Sequence, residues 1–163
     1  MIVFLSNYYN HHQSSLSNML YELTDKDYIF IETQYIDEER LKLGWREKKD
    51  NFVCYYYDNT QYYQQVIDKA DVVIFGSAPF KLIKSRLKAH KLTFIYSERI
   101  FKSYSLKKLA VATLLAYRYS SKKNLYLLCS SAFTASDFKM LGLFKNKAYK
   151  WGYFPPLKKY KNI

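Results

Sequence analysis

Polar side chains suited to hydrogen bonding and proton transfer follow the first apolar run of the chain, residues 2–5. They are Asn7, Tyr8, Asn10, His11 and His12. The N-terminus of the helix predicted next presents free backbone N–H groups, which could receive an anion or a sugar hydroxyl. A histidine titrates near neutral pH, so His11 or His12 could donate a proton or a hydrogen bond. In the alternative interpretation, Asn10 caps the helix and both histidines are surface residues.

Glu98 and Arg99 form a second group with chemical potential, directly after the apolar run 93–96. Glu98 is one of only two acidic residues between positions 79 and 163, the other being Asp137. A carboxylate at the end of a strand could orient a hydroxyl or act as a base, and Arg99 could hold a phosphate. The alternative is a local ion pair of Glu98 with Lys102 or another basic neighbour.

Hydroxyl side chains complete the set of candidates. Ser77 follows the run 71–75, and Ser130 and Ser131 follow the run 124–129. Because no G-x-S-x-G motif is present, we expect these serines to bond within loops and not to act as nucleophiles. Thr134 and Asp137 have the T-x-x-D spacing of a helix cap, which we interpret as mainly structural. The chain has neither a G-x-G-x-x-G nor a G-x-x-x-x-G-K-S/T motif and no cysteine–histidine cluster, so no dinucleotide, P-loop or metal site is expected.

Strands and helices that alternate along the chain are predicted to position these residues. The predicted strands are 2–5, 28–32, 52–57, 71–75, 93–96 and 124–129, with an extended tail at 148–156. The predicted helices are 13–23, 38–43, 61–69, 79–90, 105–119 and 134–141. Such alternation with continuous apolar strands predicts an α/β fold of three α/β/α layers around a mostly parallel sheet of six to seven strands. In that fold, ligands bind at the carboxyl ends of the strands, so the loops that carry the polar residues should converge.

The charge of the chain is uneven. The chain has 163 residues and a formal net charge of +12; residues 1–60 hold 6 basic and 10 acidic side chains, whereas residues 79–163 hold 19 basic and 2 acidic ones. This asymmetry favours an anionic partner, which could be a nucleic acid, a membrane surface or a phosphorylated substrate. The alternative is a solvated surface.

Two cysteines exclude a disulfide scaffold, no apolar run is long enough to span a bilayer, and the N-terminus lacks the pattern of a signal peptide. We therefore expect a cytoplasmic setting.

Two predicted helices carry the basic side chains. In the helix at 79–90 the predicted core stripe is Phe80, Ile83 and Leu87, with Lys81, Lys84, Lys88 and Lys91 on another side. In the helix at 105–119 the predicted core stripe is Leu106, Leu109, Ala110, Thr113, Leu114 and Tyr117, and the remaining positions are Lys107, Lys108, Val111, Leu115 and Arg118. A mixture of cations and apolar side chains is typical of contact with an anionic membrane. The alternative is that Val111 and Leu115 also pack inside the domain.

Four segments carry a resemblance to a known family. They are FLSNYYNHHQ (4–13), YSER (96–99), SSAFTASDF (130–138) and KWGYFP (150–155). Together they resemble the N-terminal half of GT-B glycosyltransferases of the group 1, or family 4, type, and most closely the bacterial enzymes that build surface polysaccharides. The resemblance covers essentially the whole chain and keeps the order of the segments.

This resemblance implies a division of labour between two Rossmann-like domains. The N-terminal domain, here 1–150, binds the acceptor, and residues 151–163 begin the linker to a C-terminal domain that binds a nucleotide-sugar donor. It implies retaining transfer to a glycan or lipid-linked acceptor at the cytoplasmic face of the membrane, with no cofactor in this chain. By position, the catalytic candidates are Glu98 and His12; the acceptor-binding candidates are Asn7, Tyr8, Asn10, His11, Ser77, Arg99, Ser131 and Thr134; and the membrane or phosphate contacts are Lys84, Lys88, Lys107, Lys108 and Arg118.

The chain departs from the family pattern in two ways. The glycine-rich first loop of many relatives is replaced by Asn, Tyr and His residues, and the donor domain with its glutamate-rich motif is absent. We therefore expect an N-terminal domain that does not transfer sugar alone. Two alternatives stay open, namely a basic α/β domain that binds nucleic acid and a partner subunit that completes an active site with a separate donor domain.

Overall fold

Seven parallel strands form one continuous sheet in the computed structural model of the chain, which describes residues 1–45, 50–102, 110, 113–114 and 117–155. The strands are β1 (Ile2–Ser6), β2 (Tyr28–Glu32), β3 (Val53–Tyr55), β4 (Val72–Phe75), β5 (Thr93–Ser97), β6 (Leu125–Cys129) and β7 (Ala148–Lys150). Their order in the sheet is β3-β2-β1-β4-β5-β6-β7, and every neighbouring pair is parallel. The predicted α/β fold is confirmed. It is Rossmann-like, with the strand order changing direction between β1 and β4.

Helices flank this sheet. They are α1 (His11–Leu23), α2 (Glu38–Lys42), α3 (Thr60–Lys69), α4 (Lys84–Lys88) and α5 (Thr134–Met140), with 3-10 helices at Tyr56–Asp58, Phe80–Ile83 and Ile100–Lys102. Between β5 and β6, the described residues 110, 113–114 and 117–120 are helical, as predicted for 105–119. Lys107 and Lys108 lie outside the described residues, as do Leu106, Leu109, Val111 and Leu115.

The two faces of the sheet are covered by different kinds of side chain. On β1, Val3 and Leu5 belong to one core cluster and Phe4 belongs to the other. The first cluster is largely aliphatic, whereas the second is aromatic, with the rings of Phe4 and Phe30 stacked at 5.0 Å between centroids. Burial on both faces explains why the strands appear in the sequence as continuous apolar runs.

The predicted apolar face of α1 is wrong at two of its four positions. Leu16 and Leu20 pack on the aromatic cluster, but Met19 is 62% exposed and Leu23 is 76% exposed. The residue of this helix that is fully buried is Ser17, whose hydroxyl accepts a hydrogen bond of 2.8 Å from Tyr28. A small hydroxyl side chain fits against the phenol where a larger apolar side chain would not, and this rotates the helix away from the predicted face.

The two basic helices differ in how well their core stripes were predicted. In the segment after Pro79, Ile83 and Leu87 are buried as expected, although the segment begins as a 3-10 helix. In the helix before β6, the predicted core stripe is wrong at three of its four described positions, since Ala110, Leu114 and Tyr117 are exposed. The fourth, Thr113, is half-buried. Tyr119 packs on Phe80 with ring centroids 5.0 Å apart. Tyr117 is about 200° away from Tyr119 around a helix and therefore faces solvent.

Arg86 is a buried cation in α4, only 1% exposed. Its guanidinium donates to the carbonyl oxygens of Ile67, Ala70 and Leu92, each at 2.7 Å. Burial lowers its pKa to about 10, which leaves the group charged at neutral pH. Because two of the three carbonyls lie at the C-terminus of α3, the cation also meets the negative end of that helix. This side chain therefore joins α4 to the end of α3 and to the residue before β5. These contacts lie at the amino ends of the strands, opposite the candidate site.

The tail at 148–156, predicted to be extended, contributes a strand to the sheet. Residues 148–150 of β7 pair with 127–129 of β6. The next residues fold back, with Trp151 N–H donating to Cys129 O at 2.9 Å and Phe154 N–H donating to His12 O at 3.0 Å. We call residues 151–154 the C-terminal strap. The division of the chain into a domain at 1–150 and a linker at 151–163 stays a prediction.

Candidate functional site

The carboxyl ends of β5, β6 and β7 meet at an open cleft of about 340 Å³. We call it the β5–β6 cleft. It is lined by Glu98, Arg99, Ser130, Ser131 and Tyr153. Four of these residues, all but Tyr153, were singled out from the sequence, so the expected convergence of the loops after β5 and β6 is confirmed.

A pair of hydrogen bonds joins the two loops. The Ser130 N–H and hydroxyl both donate to the carbonyl oxygen of Ser97, at 3.1 and 2.9 Å. Ser131 and Thr134 share a hydroxyl–hydroxyl bond of 3.0 Å, and Thr134 is fully buried. Both serines therefore bond within the loops, as the sequence predicted.

Glu98 contacts the C-terminal strap. The Tyr153 hydroxyl donates to Glu98 Oε1, and the ring of Tyr96 lies 6.2 Å from the ring of Tyr153. Burial, and to a lesser extent the neighbouring Tyr153, raises the pKa of Tyr96, so its phenol is protonated at neutral pH. The predicted alternative partner Lys102 lies outside the side chains that the structure describes. Glu98 itself is exposed, which leaves carboxylate surface at the cleft.

Arg99 is held by a buried carboxylate that the sequence analysis assigned to another role. Its Nε and Nη2 atoms donate to the two carboxylate oxygens of Asp137, both at 3.0 Å. Asp137 is 2% exposed as a whole residue, and the ring of Phe133 lies 5.0 Å below the guanidinium. This pairing raises the pKa of Arg99. The predicted T-x-x-D cap is wrong, because α5 has Phe133 at its N-cap position and no side-chain cap bond.

The loop after β1 uses most of its polar side chains for its own structure. Asn10 caps α1, with its Oδ1 accepting from His12 N–H at 2.9 Å, as the alternative interpretation held. Tyr8 is buried beneath the guanidinium of Arg40, which lies 4.8 Å from its ring centroid. Asn7 accepts from the hydroxyl of Ser6 at 3.2 Å. The acceptor-binding role of Asn7, Tyr8 and Asn10 stays a prediction.

The two histidines belong to an aromatic cluster. The rings of His11 and His12 are 4.0 Å apart, and both contact Trp45 at 5.9 and 6.4 Å between centroids. His12 also lies 5.1 Å from the ring of Tyr153. Burial, then the neighbouring His11, lowers the pKa of His12, so its imidazole is neutral at pH 7. Both rings are half-buried and therefore not simple surface residues.

Tyr153 connects the two groups of candidates. Its ring contacts His12 and its hydroxyl reaches Glu98. The two residues predicted as catalytic therefore lie on either side of one phenol. Neither Tyr153 nor Trp45 was given a role by the sequence analysis. The only signal for Tyr153 was its place in the segment KWGYFP, and no signal pointed to Trp45.

The loops after β1 and β4 contact each other at the crevice between these two strands. The Ser77 N–H donates to the Ser6 hydroxyl at 3.3 Å, and a Cβ added at Gly76 would lie 2.8 Å from that same oxygen. Ser77 is exposed but is not part of the lining of the β5–β6 cleft. Its predicted contact with an acceptor stays a prediction.

The predicted membrane or phosphate contacts that the structure describes lie on the surface. Lys84 and Lys88 are exposed on α4, and Arg118 is exposed with its guanidinium 5.8 Å from the ring of Tyr119. Among the described residues, no group of three or more His, Cys, Asp or Glu side chains is arranged to hold a metal ion. Within that same part of the chain, none of the helices has the length and apolar character needed to cross a bilayer.

Comparison with known proteins adds no family to these observations. No protein-family model, curated protein or solved structure matches the chain.

Proposed function

We propose that this chain is the acceptor-binding domain of a GT-B glycosyltransferase, in which a further domain binds the nucleotide-sugar donor. The observation that carries the proposal is the β5–β6 cleft, where a carboxylate, a guanidinium and hydroxyl groups meet beside aromatic rings. Carbohydrates are bound by polar groups that pair with their hydroxyls and by flat apolar surfaces. The Rossmann-like fold and the position of the cleft at the carboxyl ends of the strands support this proposal.

Glu98 is the proposed contact for the acceptor hydroxyl. An ionised carboxylate has about four lone-pair sites, so Glu98 can accept from a ligand hydroxyl while it also accepts from Tyr153. A hydroxyl that donates to a carboxylate gains electron density on its oxygen and becomes a better nucleophile. In this proposal Glu98 orients the acceptor oxygen and takes its proton as the new glycosidic bond forms at the anomeric carbon of the donor sugar. The bond from that carbon to the diphosphate breaks in the same transfer, and the nucleoside diphosphate leaves with the bonding electrons, held by the further domain.

His12 acts in the proposal through Tyr153. Its neutral imidazole contacts the Tyr153 ring, and its Nδ1 atom is buried without a hydrogen-bond partner among the described residues. The backbone bond from Phe154 to His12 ties the same residue to the C-terminal strap. His12 is therefore proposed as the residue that sets the position of Tyr153 over Glu98.

Carbohydrate binding by the chain tests the first part of the proposal. Saturation-transfer NMR with methyl glycosides of glucose, galactose and N-acetylglucosamine should show transfer to at least one of them. E98Q should weaken that binding by roughly 10-fold, because a hydrogen bond to a charged group is lost. E22Q is the matched control, since Glu22 is exposed near the end of α1, away from the cleft. An absence of transfer from all three sugars, or equal binding by E98Q, would contradict the proposal.

We extend the proposal to peripheral contact with an anionic membrane. Leu114, Tyr117 and Arg118 are exposed at i, i+3 and i+4 positions of one helix, which combines apolar side chains with a cation on one face. That combination is typical of helices that lie in the interface of a bilayer. Lys84 and Lys88 add exposed positive charge elsewhere on the surface.

Vesicle flotation tests the membrane contact. Vesicles that contain phosphatidylglycerol should carry the chain, whereas purely phosphatidylcholine vesicles should not, and added salt should release it. L114Q should reduce flotation by several-fold, and L23Q, which alters an exposed leucine on α1, should not. Equal flotation with both kinds of vesicle, or none with either, would reject this extension.

A further inference from the structure

Arg99 offers the β5–β6 cleft a cation whose orientation is already fixed. Asp137 accepts from Nε and Nη2 through both of its oxygens, so the guanidinium plane cannot turn. The Nη1 atom makes no hydrogen bond within the part of the chain that the structure describes. Phe133 covers one face of the group. The guanidinium edge that carries Nη1 is therefore left to donate hydrogen bonds beside the cleft, which Arg99 lines.

The partner that such an edge prefers is an oxyanion. Guanidinium groups donate two parallel hydrogen bonds to phosphate or carboxylate oxygens, and these charge-assisted bonds are about twice as strong as neutral ones. Ser131, another residue of the lining, can add a hydroxyl contact. The rotational freedom that an exposed arginine normally loses on binding has already been lost to Asp137, which favours binding at this position.

The cleft is also chemically asymmetric. Glu98 carries a negative charge and accepts from Tyr153, so this end favours hydroxyl donors and disfavours anions. The end formed by Arg99 and Ser131 has the opposite preference. A ligand that satisfies both ends therefore has hydroxyl groups at one end and an oxyanion at the other.

We propose that the β5–β6 cleft binds a sugar that carries an anionic group, with the anion on the free edge of Arg99 and the sugar hydroxyls on Glu98. Asp137 is the positioning residue that holds Arg99 for this contact. The inference rests on the proposed function, because it names the class of acceptor bound at the same site. A phosphate and a carboxylate share the chemistry that Arg99 recognises.

Matched ligands test this inference on the full chain. Each pair consists of a sugar 1-phosphate and its methyl glycoside, for glucose, galactose and N-acetylglucosamine, with glucuronate as the carboxylate ligand. In the wild-type chain, one charged member should bind about 10-fold more tightly than its neutral partner. A greater affinity for glucuronate than for glucose 1-phosphate would identify the carboxylate as the anion, and the reverse order would identify the phosphate.

Two variants locate the preference at Arg99. R99Q removes the cation, but it leaves the Asp137 carboxylate buried without its partner, which can destabilise the fold. The double variant R99Q/D137N removes both charges and keeps an amide hydrogen bond possible between the two side chains. In the double variant the charged ligand and its methyl glycoside should bind with about equal affinity. The affinity for the methyl glycoside itself should change by less than about 2-fold from that of the wild type. K69M is the control, since Lys69 is an exposed cation at the end of α3.

The outcomes separate this inference from the proposed function. If sugars bind but the charged members have no advantage, or if the advantage survives in R99Q/D137N, the inference is overturned and the proposed function stands. If no sugar binds but inorganic phosphate binds in a way that R99Q/D137N abolishes, the proposed function fails and the anion contact stands. If neither sugars nor inorganic phosphate bind, both are overturned.

Discussion

Two crevices lie at the carboxyl edge of the same sheet, and they differ in what their polar atoms do. At the crevice between β1 and β4, the Ser6 hydroxyl accepts from Ser77 and donates to Asn7, so the groups of the chain pair with one another. At the β5–β6 cleft, exposed atoms of Glu98 and Arg99 line about 340 Å³ of open space.

The difference shows how far fold topology can locate a site. The position between β1 and β4, where the order of the strands reverses, is the usual position of a ligand in this kind of sheet. In this chain the Ser6 hydroxyl there bonds with Ser77 and Asn7, and Gly76 packs closely against Ser6. Topology therefore identifies the edge of the sheet, and the hydrogen-bond partners of individual side chains identify the crevice.

The largest effect expected from this comparison is on stability, at the crevice between β1 and β4. G76A places a Cβ 2.8 Å from Ser6 Oγ and 3.3 Å from Ser6 Cβ, and Ser6 is buried. We expect the free energy of unfolding to fall by about 1–3 kcal/mol, as is typical of overpacking. Urea denaturation measures it. G152A is the matched control, because nothing lies within 4 Å of a Cβ at that glycine.

A second variant makes this prediction specific to the contact with Ser6. S6A/G76A removes the oxygen that the new methyl group meets, so the double variant should recover part of the loss. A G76A chain as stable as the wild type would mean that Ser6 can move away from the added methyl group without cost. By contrast, E98Q in the open cleft should change the free energy of unfolding by less than about 0.5 kcal/mol, as for an exposed side chain.

A smaller effect is expected from pH, at the aromatic cluster that contains His12. Burial lowers the pKa of His12 below its ordinary value of 6.5. The unfolded chain therefore binds the proton more tightly than the folded chain does, so stability is fully present above pH 6.5 and is lost as the pH falls through the folded pKa. The wild type should lose stability between pH 7 and pH 5, and H12Q should lose less over that interval.

Urea midpoints at the two pH values measure this difference. H11Q is the comparison variant. His11 contributes only the secondary charge effect on His12, so its replacement should leave most of the pH dependence in place. A pH dependence that is unchanged in H12Q would show that the His12 ring is not desolvated beside Trp45 and Tyr153.

The sequence predicted the parts of the molecule that local patterns determine. Continuous apolar runs placed six strands, and the position of Asn10 before a helix indicated its capping role. Asp137 shows where this approach fails. Its spacing from Thr134 fits a cap, but its partner is Arg99, 38 residues earlier in the chain. A pairing over that distance leaves no local pattern.

Two further residues show the same limit of sequence analysis. Tyr153 reaches Glu98 only because β7 joins the sheet and the C-terminal strap folds back over its edge. Arg86 lies in a segment rich in exposed lysines, and only the three carbonyl groups that converge on it distinguish it from them. In each case the role of the side chain depends on backbone that is distant in the sequence.

The all-parallel strand order has a consequence for how the chain folds. Parallel neighbours cannot be joined by a tight hairpin, so each pairing requires a crossover, and the central pairing joins Ile2 to Val72. Loop closure over such separations makes folding slow compared with that of helical bundles of similar size. Strands β1 to β4 can pair before the rest of the chain has been synthesised, whereas the β5–β6 cleft needs Tyr153 as well. We therefore expect the cleft to be the last part of the molecule to assemble during synthesis.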